Sequence, residues 1–229
     1  MRIDIISGLP KLLESPLQES ILKRSQEKGI VEIFVHDLRD YTHDKHRIID
    51  DTPYGGGAGM VLKPEPFFEC VETLKAQRSY DDVVFLTADG ETFTQKIATE
   101  FSLKNNVMFL CGHYKGVDQR VRDELATREI SIGDFVLTGG ELAAAIVVDA
   151  VVRLIPGVIN DGESALTDSF QDGLLGAPQY TRPPEFHGLK VPDVLLSGNH
   201  KEVDQWRQEQ REQRTKTLRS DLFNQEVEK

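Results

Sequence analysis

Two stretches of this sequence carry glycines where a ligand could lie against bare main chain. One is Leu110-Cys111-Gly112-His113-Tyr114-Lys115-Gly116-Val117-Asp118. The other is Ser131-Ile132-Gly133-Asp134-Phe135-Val136-Leu137-Thr138-Gly139-Gly140-Glu141. Each reads as a strand running into a Gly-bounded loop and then a helix. Glycine has no Cβ, so backbone N–H and C=O groups can approach and read a flat heterocycle without charged side chains. Either stretch alone is ordinarily a strand-to-helix turn. Two such loops after neighbouring strands would wall one crevice.

Two charged residues stand out against their surroundings. Asp168 lies in an aperiodic polar segment beside Ser164, Thr167, Ser169 and Phe170. Loop carboxylates are usually just solvated, but one held in a closing loop can act as a general base. Arg153 follows the apolar run from Leu142 to Val152. It reads either as a rim arginine with a buried stem or as a cation stabilising charge that develops on a substrate oxygen. The tail places Arg207, Arg211 and Arg214 on one helix face, with Glu209 and Glu212 interleaved. That is either a solvated face or a phosphate-contacting one, with Trp206 and Phe223 packing or stacking. Tyr54-Gly55-Gly56-Gly57-Ala58-Gly59-Met60 follows Asp50-Asp51-Thr52-Pro53 and no hydrophobic strand, so it is no dinucleotide fingerprint. It reads as a surface loop or as one closing over a large flat substrate. His43 and His46 have poor metal spacing and no cysteine nearby.

The elements that must position these groups alternate. Strands are expected at 2–7, 30–36, 82–87, 106–112 and 129–133. Helices are expected at 17–28, 64–77, 94–104, 118–125 and 140–155. That order implies an α/β fold with a mostly parallel sheet. An aperiodic linker follows, and then helices at 194–196, 201–217 and 220–227. The domains expected are 1–158, a linker at 159–176, and a small all-helical unit at 177–229. With 229 residues and 39% hydrophobic content, the chain can bury a core. The net charge of −11 argues against coating nucleic acid by a global field. It is uneven: residues 1–176 hold 18 basic against 29 acidic side chains, and 177–229 hold 9 of each. Cys70 and Cys111 sit in apolar surroundings and read as buried thiols of a reducing compartment. No signal-peptide pattern or membrane-length apolar run occurs, which leads to an expectation of a soluble, cytoplasmic protein.

The motifs together resemble the bacterial tRNA (guanine-N1)-methyltransferase, or TrmD, family of the SPOUT superfamily. The resemblance rests on Tyr54-Gly55-Gly56-Gly57-x-Gly59-Met60, Cys111-Gly112-x-Tyr114-x-Gly116-x-Asp118, and the whole run from Ser131 to Leu142. Ile155-Pro156-Gly157-Val158, Glu163-Ser164, Asp168-Ser169-Phe170 and Pro178-x-Tyr180-Thr181-Arg182-Pro183 complete it. It implies a deep trefoil knot in the α/β domain and a helical tRNA-binding domain. It also implies a homodimer with active sites between subunits, and S-adenosylmethionine as cofactor. Catalysis in the family is associated with Mg2+, for which no carboxylate cluster here designates a site. The implied product is N1-methylated guanosine 3′-adjacent to the anticodon. A catalytically silent knotted RNA-binding protein is the alternative, and retention of Asp168 and Arg153 favours the enzyme.

Carried over by resemblance, the cofactor-binding residues are Phe85, Leu86, Thr87, Gly112, Tyr114, Gly116, Ser131, Ile132, Gly133, Asp134, Phe135, Val136, Leu137, Gly139 and Gly140. Asp168 takes the place of the general base and Arg153 that of the catalytic arginine. Tyr54, Gly55, Gly56, Gly57, Ser164 and Arg182 fall in RNA-binding positions. The chain departs from common family patterns at Ala88-Asp89-Gly90, at His113-Tyr114-Lys115 and at Gly176. An acidic residue often stands at the positions of Lys115 and Gly176 and is thought to sit near the cofactor's amino group.

Overall fold

A computed structural model of the chain describes residues 1–159 and 168–224. It divides into two compact units, Met1–Asn160 and Asp161–Lys229. The first unit is α/β. Its strands are β1 (Arg2–Ser7), β2 (Glu32–Asp37), β3 (Asp50–Asp51), β4 (Val61–Leu62), β5 (Asp82–Thr92), β6 (Asn106–Cys111), β7 (Gly116–Val117) and β8 (Arg128–Ser131). Its helices are α1 (Lys11–Leu17), α2 (Ser20–Glu27), α3 (Pro64–Gln77), α4 (Gln95–Ser102), α5 (Gln119–Leu125) and α6 (Glu141–Val152). A five-stranded sheet runs β2-β1-β6-β5-β8, and every pairing in it is parallel.

Side-chain alternation along the central strands explains why both sheet faces are covered. Ile3, Ile5, Val84, Leu86, Val107 and Phe109 point into one core with residues of α1, α2, α4 and α6. Ile6, Val83, Phe85, Met108 and Leu110 point into the other, with residues of α3 and α5. Both edges of this arrangement are set by local chemistry. Pro64 opens α3, where a missing N–H costs nothing. The Asp118 side chain caps α5 by accepting from the Arg120 N–H at 3.0 Å.

Three boundaries differ from the sequence reading. The helix expected at 17–28 begins only at Ser20, whose φ of +50° separates it from an unforeseen helix, α1, that ends at Leu17 just after Pro16. β5 runs on to Thr92 through a register shift between Leu86 and Glu91. Gly90 makes that irregular strand possible: a Cβ there would lie 2.6 Å from the Glu129 backbone. A second, three-stranded sheet, β3-β4-β7, was not foreseen, since strands of two residues leave no periodic signal.

The second unit contains a hairpin of β9 (Glu185–Phe186) and β10 (Leu189–Lys190), then helices α7 (Asp193–Leu196), α8 (His200–Leu218) and α9 (Asp221–Asn224). The unit is therefore not all-helical. His187 and Gly188 both take positive φ, +51° and +79°, which is the backbone of a two-residue hairpin turn. The described part of the expected linker, 168–176, bonds within this unit. The Leu175 N–H donates to the buried Thr215 hydroxyl at 2.9 Å, and Arg211 pairs with Asp172 and donates to the Leu175 carbonyl. Arg211 is thus engaged in holding this segment on α8. The last residues of the helix expected at 220–227 lie outside the described residues. Among the described residues, no helix is long and apolar enough to cross a membrane.

Candidate active site

The parallel strands β5, β6 and β8 end side by side, and a cleft of about 210 Å3 opens beyond their carboxyl ends. Phe85, Leu86 and Thr87 line it from β5. Gly112, Tyr114 and Gly116 line it from the loop after β6. Ser131, Ile132, Gly133, Phe135, Val136, Leu137, Gly139 and Gly140 line it from the loop after β8. Of the cofactor set expected from the sequence, Asp134 does not line the cleft. The Phe135 N–H bonds back to the Gly133 carbonyl at 2.9 Å, which puts Asp134 at the exposed tip of a tight turn. Among the described residues, His113 and Lys115 supply the basic groups of the lining, and no carboxylate lines it.

Main chain joins the two loops. His113 and Gly139 form an antiparallel bridge, and the Gly140 N–H donates to the Gly112 carbonyl at 2.8 Å. The approach is close enough that only glycine fits. A Cβ at position 139 would overlap His113 Nδ1 and Glu141 Oε2, and one at position 140 would lie 3.0 Å from Cys111 Cα. Tyr114 takes φ +59° at the tip of the first loop, with the Gly116 N–H donating to the His113 carbonyl at 3.1 Å. Beneath the loops lies Glu141, 1% exposed, in the first turn of α6. It accepts from the Ser7 hydroxyl at 2.7 Å and lies 3.4 Å from His113 Nδ1. One carboxylate thereby ties together the end of β1, the 112–116 loop and α6. Sequence reasoning missed it, because an acid in a first helical turn is common for dipole reasons alone. Burial pushes the neighbouring Cys111 thiol up, and Glu141 adds to the effect.

Arg122 fixes the floor. Its guanidinium donates to both Glu129 oxygens at 2.8 and 2.6 Å and to Asp89 at 2.9 Å, and it lies 5.3 Å from the Phe85 ring centre. The Thr87 hydroxyl and then Arg122 hold the Asp89 carboxyl down to about 2. Asp89 therefore braces the irregular part of β5 beside the cleft. The Gly-rich loop at 54–60 abuts the same region. The Lys115 N–H donates to the Met60 carbonyl at 3.0 Å, and β4 pairs with β7 immediately after each loop. Gly55, Gly56, Gly57 and Gly59 all take positive φ, and Tyr54 is fully exposed.

The tRNA (guanine-1)-methyltransferase TrmD family model matches residues 1–225. The chain belongs to this family. It is 59% identical over 223 residues to the tRNA (guanine-N(1)-)-methyltransferase of Bacteroides fragilis, covering 97% of this chain and 99% of that protein. A protein of the same name from Cytophaga hutchinsonii is 60% identical, covering 97% of this chain and 95% of that one. Another from Chlorobaculum tepidum is 55% identical over the full length of both. These matches lend no support to the catalytically silent alternative.

The remaining residues suggested by the TrmD resemblance fall in different places. Arg153 caps the C-terminal end of α6, whereas the cleft sits at the helix's N-terminal end. Twelve helical residues at 1.5 Å rise put about 18 Å between those ends, so Arg153 does not reach the cleft of its own chain. Asp168 is partly buried in the second unit, and Arg182 is exposed there. Ser164 lies outside the described residues. Among the described residues no group of three or more His, Cys, Asp or Glu could hold a metal ion.

Proposed function

We propose that the protein methylates N1 of the guanosine 3′-adjacent to the anticodon in tRNA, using S-adenosylmethionine. The observation that carries the reading is the cleft between the 112–116 and 132–140 loops. Its walls are joined main chain and exposed Phe135, Val136 and Leu137. The residues fit the cofactor. Glycines at 139 and 140 leave bare backbone where a Cβ would fill the cradle, and apolar side chains offer a face for a flat ring. When bound, the sulfonium supplies the methyl group as an electrophile and keeps the S–C bond pair on leaving.

N1 of guanine carries a proton and is a poor nucleophile. Asp168 takes that proton as general base, and the Arg153 guanidinium stabilises the negative charge moving onto O6. The rest of the chain excludes water and aligns the two reactants. Among the described residues, no group of three or more His, Cys, Asp or Glu could hold Mg2+. Tyr54, Gly55, Gly56, Gly57, Ser164 and Arg182 are assigned to RNA contact.

The same reading makes the protein a homodimer with sites shared between chains. The separation of Arg153 from its own chain's cleft, by about the length of α6, supports delivery of this arginine by a second chain. A ligand site usually encloses roughly 300–1,000 Å3, more than the about 210 Å3 of one chain's cleft. Leu142 and Ile146, on one face of α6, are half exposed and need covering. A trefoil-knotted first unit, a tRNA-binding second unit and a cytoplasmic location belong to the proposal. Mass spectrometry of an anticodon stem-loop transcript tests it after incubation with the protein and cofactor. One added methyl on the guanosine 3′ to the anticodon is expected; a chain that binds both ligands and leaves the RNA mass unchanged refutes the activity.

A further inference from the structure

The second unit holds a pocket of its own, of about 570 Å3. Tyr180, Arg182, Val191 and Leu195, with Val203 and Arg207 of α8, are among the residues that line it. This volume lies within the range of ligand sites. Among the described residues, its charged lining groups are the two arginines. That is a local excess of positive charge, since residues 177–229 carry as many acids as bases. Arg207 shares one nitrogen with Asp204 at 3.4 Å and is otherwise exposed. Tyr180 is 49% exposed, and its ring centre lies 6.4 Å from that of Trp206, with the two rings tilted at 55°.

We infer that this pocket holds one unpaired nucleotide of the RNA substrate. The base stacks on Tyr180 against the apolar lining side chains, and the backbone phosphate meets the Arg182 and Arg207 guanidiniums. Three requirements of single-stranded recognition coincide here: an aromatic face, an apolar bed and cations without a competing carboxylate in the lining. Arg guanidinium planes suit phosphate because they present paired donors. The inference rests on the functional reading for the identity of the ligand as RNA. It adds a second place where that RNA is gripped, within the second unit.

The test measures affinity of the full chain for a labelled anticodon stem-loop transcript, affinity for S-adenosylmethionine, and methyl transfer, on the same preparations. Tyr180→Leu is expected to weaken RNA binding roughly 5- to 150-fold, the range of one stacked base, with cofactor affinity retained. Tyr180→Phe should restore most of the loss. Arg207→Gln should lower the slope of log affinity against log salt by about 0.7–0.9, one phosphate's share. RNA affinity in Tyr180→Leu equal to wild type, or Tyr180→Phe as weak as Tyr180→Leu, overturns the inference. If Tyr180→Leu fails to fold, an unchanged salt slope in Arg207→Gln overturns it instead. A wild type that methylates the transcript while every variant binds like it leaves the functional reading standing and removes the pocket. Pocket-dependent RNA binding without methyl transfer does the reverse.

Discussion

Replacing Gly139 by alanine should damage the cleft more than it damages the fold. The new Cβ would overlap His113 Nδ1 and Glu141 Oε2 and press on the Gly112 carbonyl oxygen at 3.1 Å. None of these can yield cheaply. Glu141 is 1% exposed and tied to Ser7, and His113 is bridged to Gly139 itself. Overpacking of this kind costs about 1–3 kcal/mol. The strain falls on the hydrogen bonds that join the two loops, so most of it should appear in ligand affinity. At 1.4 kcal/mol per factor of ten, S-adenosylmethionine should bind about 5- to 150-fold more weakly. Calorimetric titration measures this, with thermal unfolding in parallel. Gly198→Ala is the control, since it takes φ +74° with nothing within 4 Å of the new Cβ; it should cost some stability and leave cofactor affinity alone. Gly139→Ala with wild-type affinity would show that the joined loops do not form the cofactor cradle.

Other outcomes follow from separate parts of the molecule. Asp168→Asn should cut methyl transfer about 10²–10⁴-fold and Arg153→Ala roughly 10²–10³-fold, with cofactor affinity held; single-turnover kinetics beside calorimetry decide, and a normal rate in either variant removes that residue from the chemistry. Sedimentation at micromolar concentration should give twice the 25.8 kDa chain mass, and Ile146→Glu should shift it toward the monomer; a wild-type monomer sinks the shared-site reading. Burial raises the Asp4 carboxyl, but bonds from His36, Arg2 and Tyr80 outweigh it and hold it at about 2 against an ordinary 3.8. Its contribution, about 2 kcal/mol, is complete above pH 3.8 and lost as pH falls from there through 2. Urea unfolding should show this loss in wild type and not in Asp4→Asn; parallel pH profiles would exclude it. Cys70, pushed up to about 12 by burial, and Cys111 should both resist a thiol reagent until the chain unfolds; rapid native labelling would contradict the burial.

The sequence exposed the features that follow from runs and from glycine. Apolar runs such as Ile3-Asp4-Ile5-Ile6 and Val107-Met108-Phe109-Leu110 identify buried parallel strands, because both faces need apolar side chains. The glycines at 112, 116, 133, 139 and 140 marked loops that the structure gathers around one cleft. What escaped notice depends on partners far away in the chain. Glu141 matters because Ser7, 134 residues earlier, donates to it. The hairpin at Glu185–Lys190 depends on two positive φ angles in strands too short for a pattern. Arg211 sat on a helical stripe with Arg207 and Arg214, and only the fold separates it from them by pairing it with Asp172. Asp168 and Arg153 stood out from their surroundings, but only the family resemblance chose between a solvated and a catalytic role for each.

The bridge between His113 and Gly139 also bears on how such a site can change over time. A pocket whose grip comes from peptide groups has a recognition surface that most substitutions cannot edit, since every residue type but proline presents the same N–H and C=O. Val136, 88% exposed, can be exchanged for many side chains while the donors and acceptors beside it stay in place. Adaptation toward a different ligand, or escape from an inhibitor that mimics the natural one, would therefore have to move backbone. The positions able to move it include Gly139 and Gly140, where the first added carbon already collides or presses on main chain. Tolerance to drift and resistance to redesign are thus two results of the same main-chain contact.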